Sequence, residues 1–171
     1  MATTKKTESL EDEFMPKDYK LPDSAEFMKF LPGKNKFRIL SSLVTGYLYW
    51  TNENKPVRSP VPFEETPDIK VDPKTGKSKI DHFWAVVVWN YATESIQTLE
   101  ITQKGIQKYI TGLLNDDAWG SPKKYDLVVT RDGDGLATKY TVSANPHKEV
   151  SDDIKEAFEA ANIDLNKMFE N

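Results

Sequence analysis

The chain contains no cysteine among its 171 residues, which excludes disulfides, thiolate zinc sites, iron–sulfur clusters and a cysteine nucleophile. Histidine is nearly as scarce, with only His82 and His147, too few for a histidine-rich metal site. Long hydrophobic runs are also missing: the longest covers residues 83–89, far below the roughly 18 residues that read as a membrane span. Residues 1–13 carry Lys5 and Lys6 and then turn acidic with no apolar stretch behind them, so no secretory leader is expected and a cytoplasmic protein is. No Gly-rich nucleotide-phosphate loop and no serine elbow occur. Asp81 beside His82 is a pair without a third member, and Asp126, Asp132 and Asp134 suggest a two-metal nuclease less well than Asp132-Gly133-Asp134-Gly135 suggests a turn. The expectation is a protein that is not an enzyme, with no metal and no cofactor.

What the chain does have is aromatic side chains: four Trp, seven Tyr and eight Phe, mostly between residues 27 and 140. Each can bury roughly 150–250 Å², so a real core is available although only 38% of residues are hydrophobic. Charge is uneven. Residues 1–31 hold five lysines against seven acids, and residues 147–171 hold three against seven. Residues 32–146 hold fifteen Lys/Arg against thirteen Asp/Glu, a basic centre in a chain of net charge −4. Its cations cluster at Lys34, Lys36 and Arg38, at Lys55 and Arg58, and at Lys70, Lys74, Lys77 and Lys79. Such a pattern is first of all a solvated surface and needs a second feature before it implies a partner.

The division predicted is an acidic, largely disordered segment 1–31, one folded domain 32–146, and an acidic helical tail 147–171. Within the first segment, Phe27, Met28, Phe30 and Leu31 can form one turn that docks on the core. Period-two alternation over residues 36–50 predicts a long strand bent at Gly46. Residues 51–80, with five prolines, predict a long loop or loose hairpin. Residues 81–91 form the strongest strand, apolar on both faces, followed by a strand at 95–101. Thr102 caps a helix with Ile106, Tyr109, Ile110, Leu113 and Leu114 at helical spacing, ended by Asn115. Strands at 125–131 and 136–143 flank the Asp-Gly-Asp-Gly turn, and Ser151 caps a tail helix carrying Ile154, Ala157, Phe158 and Ala161. A bent strand serving as two, a strand pair, a helix and a hairpin match the five-stranded Greek-key barrel of the OB-fold, although an SH3-like barrel or small α+β sandwich gives the same string.

The runs Asn35-Lys36-Phe37-Arg38-Ile39-Leu40, His82-Phe83-Trp84-Ala85-Val86-Val87-Val88-Trp89-Asn90-Tyr91, Leu99-Glu100-Ile101-Thr102-Gln103-Lys104, and Trp119-Gly120-Ser121-Pro122 leading to Tyr125-Asp126-Leu127 resemble phage single-stranded-DNA-binding proteins over about residues 30–145. The resemblance implies an OB barrel that coats and protects single strands in replication or recombination in the host-cell cytoplasm, with an acidic C-terminus that recruits protein partners. Without cysteine, the zinc subdomain of some helix-destabilising relatives is excluded.

Binding of single strands without sequence preference needs cations along the backbone path and aromatic faces for unstacked bases, each stack contributing about 1–3 kcal/mol. Tyr47, Tyr49 and Trp50 lie just before Lys55 and Arg58; Trp84, Trp89 and Tyr91 lie on the strand expected to pair nearby; Arg38 alternates with Phe37 and Ile39; Lys77 and Lys79 end a basic loop. Whichever of Trp84 and Trp89 faces inward belongs to the core, and Trp119 reads as a plug over the barrel end. In the tail, the helix can dock Ile154 and Phe158 onto the domain, or Asp164, Leu165, Met168 and Phe169 can serve as a partner-binding peptide, and the acidic segment can also occupy a basic groove when DNA is absent. The rival readings are a barrel that binds carbohydrate or protein, as a virion or adaptor component, and a nuclease or nuclease accessory.

Overall fold

A computed structural model of the chain describes Phe14 and residues 27–63, 68–73 and 76–170. Among the described residues, seven strands and two α-helices follow in the order β1 (Gly33–Ile39), β2 (Val44–Trp50), β3 (Pro56–Ser59), β4 (Ile80–Asn90), β5 (Ser95–Ile101), α1 (Lys104–Leu114), β6 (Asp126–Asp132), β7 (Lys139–Ala144) and α2 (Asp152–Ala161). All seven strands join one antiparallel sheet in the order β3-β2-β4-β1-β6-β7, with β5 paired to β4. β4 organises it, because β1 and β2 pair in succession along one of its edges while β5 takes the other.

The period-two segment 36–50 is therefore two strands, and the break falls at residues 40–43 rather than at Gly46. There Leu40 N–H still donates to Val87 O, but Val87 N–H donates to the Ser41 side-chain hydroxyl at 2.8 Å, so a hydroxyl replaces the backbone acceptor where the chain leaves the ladder. Gly46 serves packing: a Cβ there would lie 2.7 Å from the Phe169 ring and the Ser59 carbonyl and 2.9 Å from the Phe83 ring. The proline-rich segment 51–80 is a loose hairpin that contributes β3 to the sheet.

Alternation along β4 creates two cores. Val86 and Val88 face a larger inner cluster with Phe37 and Ile39 of β1, Leu99 and Ile101 of β5, Leu127 and Val129 of β6, and Ile106, Ile110 and Leu113 of α1. Phe83, Ala85 and Val87 face an outer cluster with Leu48 and Leu165. Each fully buried side chain of this size contributes about 1.5–3 kcal/mol of transfer free energy. The tail supplies the outer cover: Phe158, Ile163, Met168 and Phe169 pack against that second cluster.

The five-stranded closed barrel expected from the sequence is corrected to a seven-stranded sheet that does not close. Among the described residues β5 and β7 do not pair; instead Phe27 bridges to Thr98 in parallel and Met28 N–H donates to Thr98 O, so the N-terminal segment occupies the free edge of β5. The segment docks in part as expected, but extended: Phe27 bridges to Thr98, Met28 is buried and Phe30 packs on the inner cluster, while Leu31 is exposed. The α1 cap position is Gln103, without a side-chain cap bond, in place of Thr102; Asn115 does end the helix. Ser151 does cap α2, its hydroxyl accepting from Ile154 N–H. The Asp-Gly-Asp-Gly connection is longer than a two-residue turn because Gly135–Ala137 forms a 3-10 turn before β7. No helix among the described residues is long and apolar enough to cross a membrane.

Candidate nucleic-acid interface

Because Phe37 and Ile39 point inward, Lys34, Lys36 and Arg38 share the outer face of β1. Arg38 lies directly across from Trp89 on β4 and Asp126 on β6, which places Trp89, and Tyr91 two residues on, in the same outer row. Asp126 is the junction of this row. Buried itself, it accepts from Arg38 Nη1 at 3.0 Å and from the Tyr91 hydroxyl at 2.9 Å, and lies 3.7 Å from Lys36 Nζ. Lys36 Nζ also sits 4.5 Å above the Tyr91 ring, a cation–π contact. Burial, then the hydrogen bond to Asp126 and its negative charge, push the Tyr91 phenol up to about 12, with Arg38 opposing.

Arg38 itself is only 2% exposed. Its Nε donates to Lys123 O at 3.1 Å and its Nη2 to Lys148 O, besides the Asp126 pair. Arg38 is thus not a water-facing side chain: it fastens β1 to β6 and to the chain leaving β7. An Arg–carboxylate pair taken out of water needs this full set of partners, since its desolvation otherwise exceeds its Coulomb gain.

The other candidates divide between two sides of the sheet. Trp50, 39% exposed, and Arg58 lie with Leu48 on the outer side. Arg58 is engaged by Glu100, Nε to Oε2 at 2.7 Å and Nη2 to Oε1 at 3.4 Å. Tyr47, Tyr49 and Trp84 lie on the inner side. The Tyr47 ring is 5.1 Å from that of His82, buried Tyr49 meets Phe63 edge-on at 4.6 Å, and half-buried Trp84 packs on the inner cluster. Trp84 is therefore the inward tryptophan of β4 and Trp89 the outward one. Lys55, Lys77 and Lys79 are exposed, Lys55 pairing with Glu53 at 3.7 Å. Trp119 plugs the inner cluster as expected, 5.2 Å from the buried Tyr125 ring. Burial raises the Tyr125 phenol, with the nearby Tyr109 adding to the rise, and its hydroxyl donates to Gly120 O at 3.0 Å.

The tail crosses this face. Asn145 N–H donates to Asp126 O and Lys148 N–H to Lys124 O; α2 then packs on β5, and the 3-10 turn Leu165–Phe169 packs on β3 and β4. Asp164 caps that turn, its carboxylate accepting from Asn166 N–H at 3.0 Å. Leu165 is buried and Met168 and Phe169 are half-buried against their own domain, so the segment read as a free partner-binding peptide is here a packed cover. Between it and β5 runs a groove of about 1050 Å³ whose walls include Arg58, Trp89, Ile96, Ala157 and Met168.

A second concavity was not anticipated. Its basic lining, Arg38, Lys123, Lys124, His147, Lys148 and Lys155, comes from four separate places in the chain. Only the adjacent Lys123-Lys124 pair was visible as a local signal. Among the described residues no group of three or more His, Cys, Asp or Glu is placed to hold a metal ion. Compared with family models, curated proteins and solved structures, the chain matches none.

Proposed function

We propose that this protein binds single-stranded DNA on the outer face of its sheet, coating strands in phage-type replication or recombination, by stacking bases on Trp89 and Tyr91 and contacting phosphates from Lys34, Lys36 and neighbouring lysines. The observation that carries this reading is the outer row itself, where the half-exposed rings of Trp89 on β4 and Tyr91 just after it stand beside cations on β1 although β4 has already buried its other face. The strand order supports an OB-type assignment: β1 with β2 stand for the bent first strand, β4 and β5 for the second and third, α1 for the intervening helix, and β6 and β7 for the last hairpin, with the closing β5–β7 pairing replaced by Phe27–Met28. In that fold oligonucleotides lie across the second and third strands.

The C-terminal segment lies over that same region, held by apolar contacts while Asp152, Asp153, Glu156 and Glu159 stay exposed. Its last stretch, from Asn162 onward, acts as a brake that a strand must displace, and once displaced offers Leu165, Met168 and Phe169 to protein partners. Removal of residues 162–171 leaves or strengthens DNA affinity; a large loss would contradict the brake.

The test of the main reading is a salt-titrated comparison of dT and rU oligomers and duplex of equal length, followed by anisotropy. Binding of dT weakens with salt at a log–log slope of about −0.7 per phosphate contacted. Salt-insensitive binding, or competition by glycans instead of dT, favours the carbohydrate or protein barrel, and cleavage of labelled strands with magnesium favours the nuclease.

A further inference from the structure

Beyond Asp126 the basic row of β1 ends in a cavity of about 430 Å³ between β1, the 3-10 turn Pro122–Lys124, the crossing chain 147–150 and α2. Arg38, Lys123, Lys124, Lys148 and Lys155 line it against a single carboxylate, Glu149. Among the described residues none of these four lysines forms an ion pair. Among the described residues only Glu149 in the lining and Asp126 behind Arg38 oppose this convergence, in a chain whose net charge is −4.

The cavity is also pre-organised. The carbonyls of Lys123 and Lys148 both accept from the buried Arg38 guanidinium, and Lys148 N–H donates to Lys124 O, so the backbones that carry three of the lysines are fixed around one planar group. A guanidinium has five N–H donors; Arg38 spends one each on Lys123 O, Asp126 Oδ1 and Lys148 O. Two remain for a ligand rich in acceptors. His147 forms part of the wall, its ring stacked on Tyr125 at 5.5 Å and its Nε2–H donating to Trp119 O at 2.9 Å.

We propose that this cavity is a phosphate-binding pocket that seats one phosphate group of the bound strand. A phosphate suits it because it carries several acceptor oxygens and negative charge with no donor to conflict with five cationic donors. The cavity exceeds a lone phosphate, which points to a phosphate attached to a chain. The assignment to a DNA strand rests on the function proposed above; the phosphate chemistry of the pocket does not.

The experiment uses the full chain and Lys124→Gln/Lys148→Gln. Both side chains are exposed and the fold uses only their backbone groups, so the variant keeps the native unfolding midpoint in the absence of anions. Binding is measured to dT oligomers with and without a 5′-phosphate, and the thermal midpoint is measured with and without pyrophosphate. The pocket predicts that the variant binds dT about tenfold more weakly at low salt, with a log–log slope shallower by about 0.7, the share of a single phosphate. It also predicts that pyrophosphate raises the midpoint of the parent protein and not of the variant. A gain from the 5′-phosphate in the parent assigns the pocket to a strand end, and equal binding of both oligomers assigns it to an internal phosphodiester. If the variant binds dT with unchanged affinity and slope and pyrophosphate stabilises neither protein, the pocket is overturned while the DNA reading stands. If dT fails to bind the parent but pyrophosphate stabilises it in a lysine-dependent way, the pocket stands and the DNA reading falls.

Discussion

The two faces of β4 are covered by different means. On the inner face, Val86 and Val88 meet α1, which lies between β5 and β6 in the chain and packs with strands on either side of it. On the outer face, Phe83, Ala85 and Val87 meet Leu165, a residue that arrives only after β7 and α2 are complete. The inner cluster draws buried residues from β1, β4, β5, α1, β6 and β7; the outer one has few fully buried members and half-buried neighbours such as Phe158, Met168 and Phe169. Local opening free energies follow such differences in burial, so the outer cover is the part that can lift while the domain stays folded. One sheet thus has a broad core on one side and a smaller, partly buried cover on the other.

The sharpest way to break this contrast is at Asp126, which sits on the outer face yet is buried like a core residue. Asp126→Ala leaves Arg38 buried without its counter-ion and costs about 3–5 kcal/mol in denaturant unfolding, a global loss despite its location. Next comes a matched pair. Leu127→Ala removes a fully buried inner side chain and costs about 2–5 kcal/mol of global stability. Leu165→Ala removes a comparable side chain from the cover, and its effect appears chiefly as faster amide exchange and proteolysis within residues 162–170, with a smaller shift of the global midpoint. Equal global losses would show that the cover is no separate unit. Gly46→Ala, which drives a methyl against the Phe169 ring and the Ser59 carbonyl, costs about 1–3 kcal/mol and loosens the same segment.

The smallest effect is spectroscopic. Tyr91 titrates near 12 in the folded protein against 10 for the unfolded chain. Folding therefore holds the proton, and stability present below pH 10 declines as pH rises from 10 towards 12. Phenolate absorbance measured against Tyr91→Phe reads this directly. Asp126→Asn brings the value part of the way down, because burial, the largest cause, persists.

Alternation makes the two apolar faces of β4 legible in the sequence, since seven consecutive hydrophobic residues leave a strand no polar side. Helix α1 is legible for a similar reason, from its 3.6-residue spacing, and the Ser151 cap from its chemistry. Closure is not legible, because pairing of Met28 with Thr98 depends on a backbone edge that carries no side-chain signature. Nor is the fate of Arg38: its place in the alternating pattern puts it on the outer face, but the turn at Lys123 and the crossing chain at Lys148 hold it buried there. The lysine pocket escapes for the same reason, because residues 38, 123, 124, 148 and 155 converge only when the tail is laid across the sheet.

The central claim is that bases stack on the outer row and not on the inner one, and two tryptophans on one strand report on it separately. Titration of Trp89→Phe and Trp84→Phe with a dT oligomer, followed by tryptophan fluorescence, is the direct measurement. The account predicts that quenching falls sharply in Trp89→Phe and persists in Trp84→Phe. Undiminished quenching in Trp89→Phe, with its disappearance in Trp84→Phe, would contradict it.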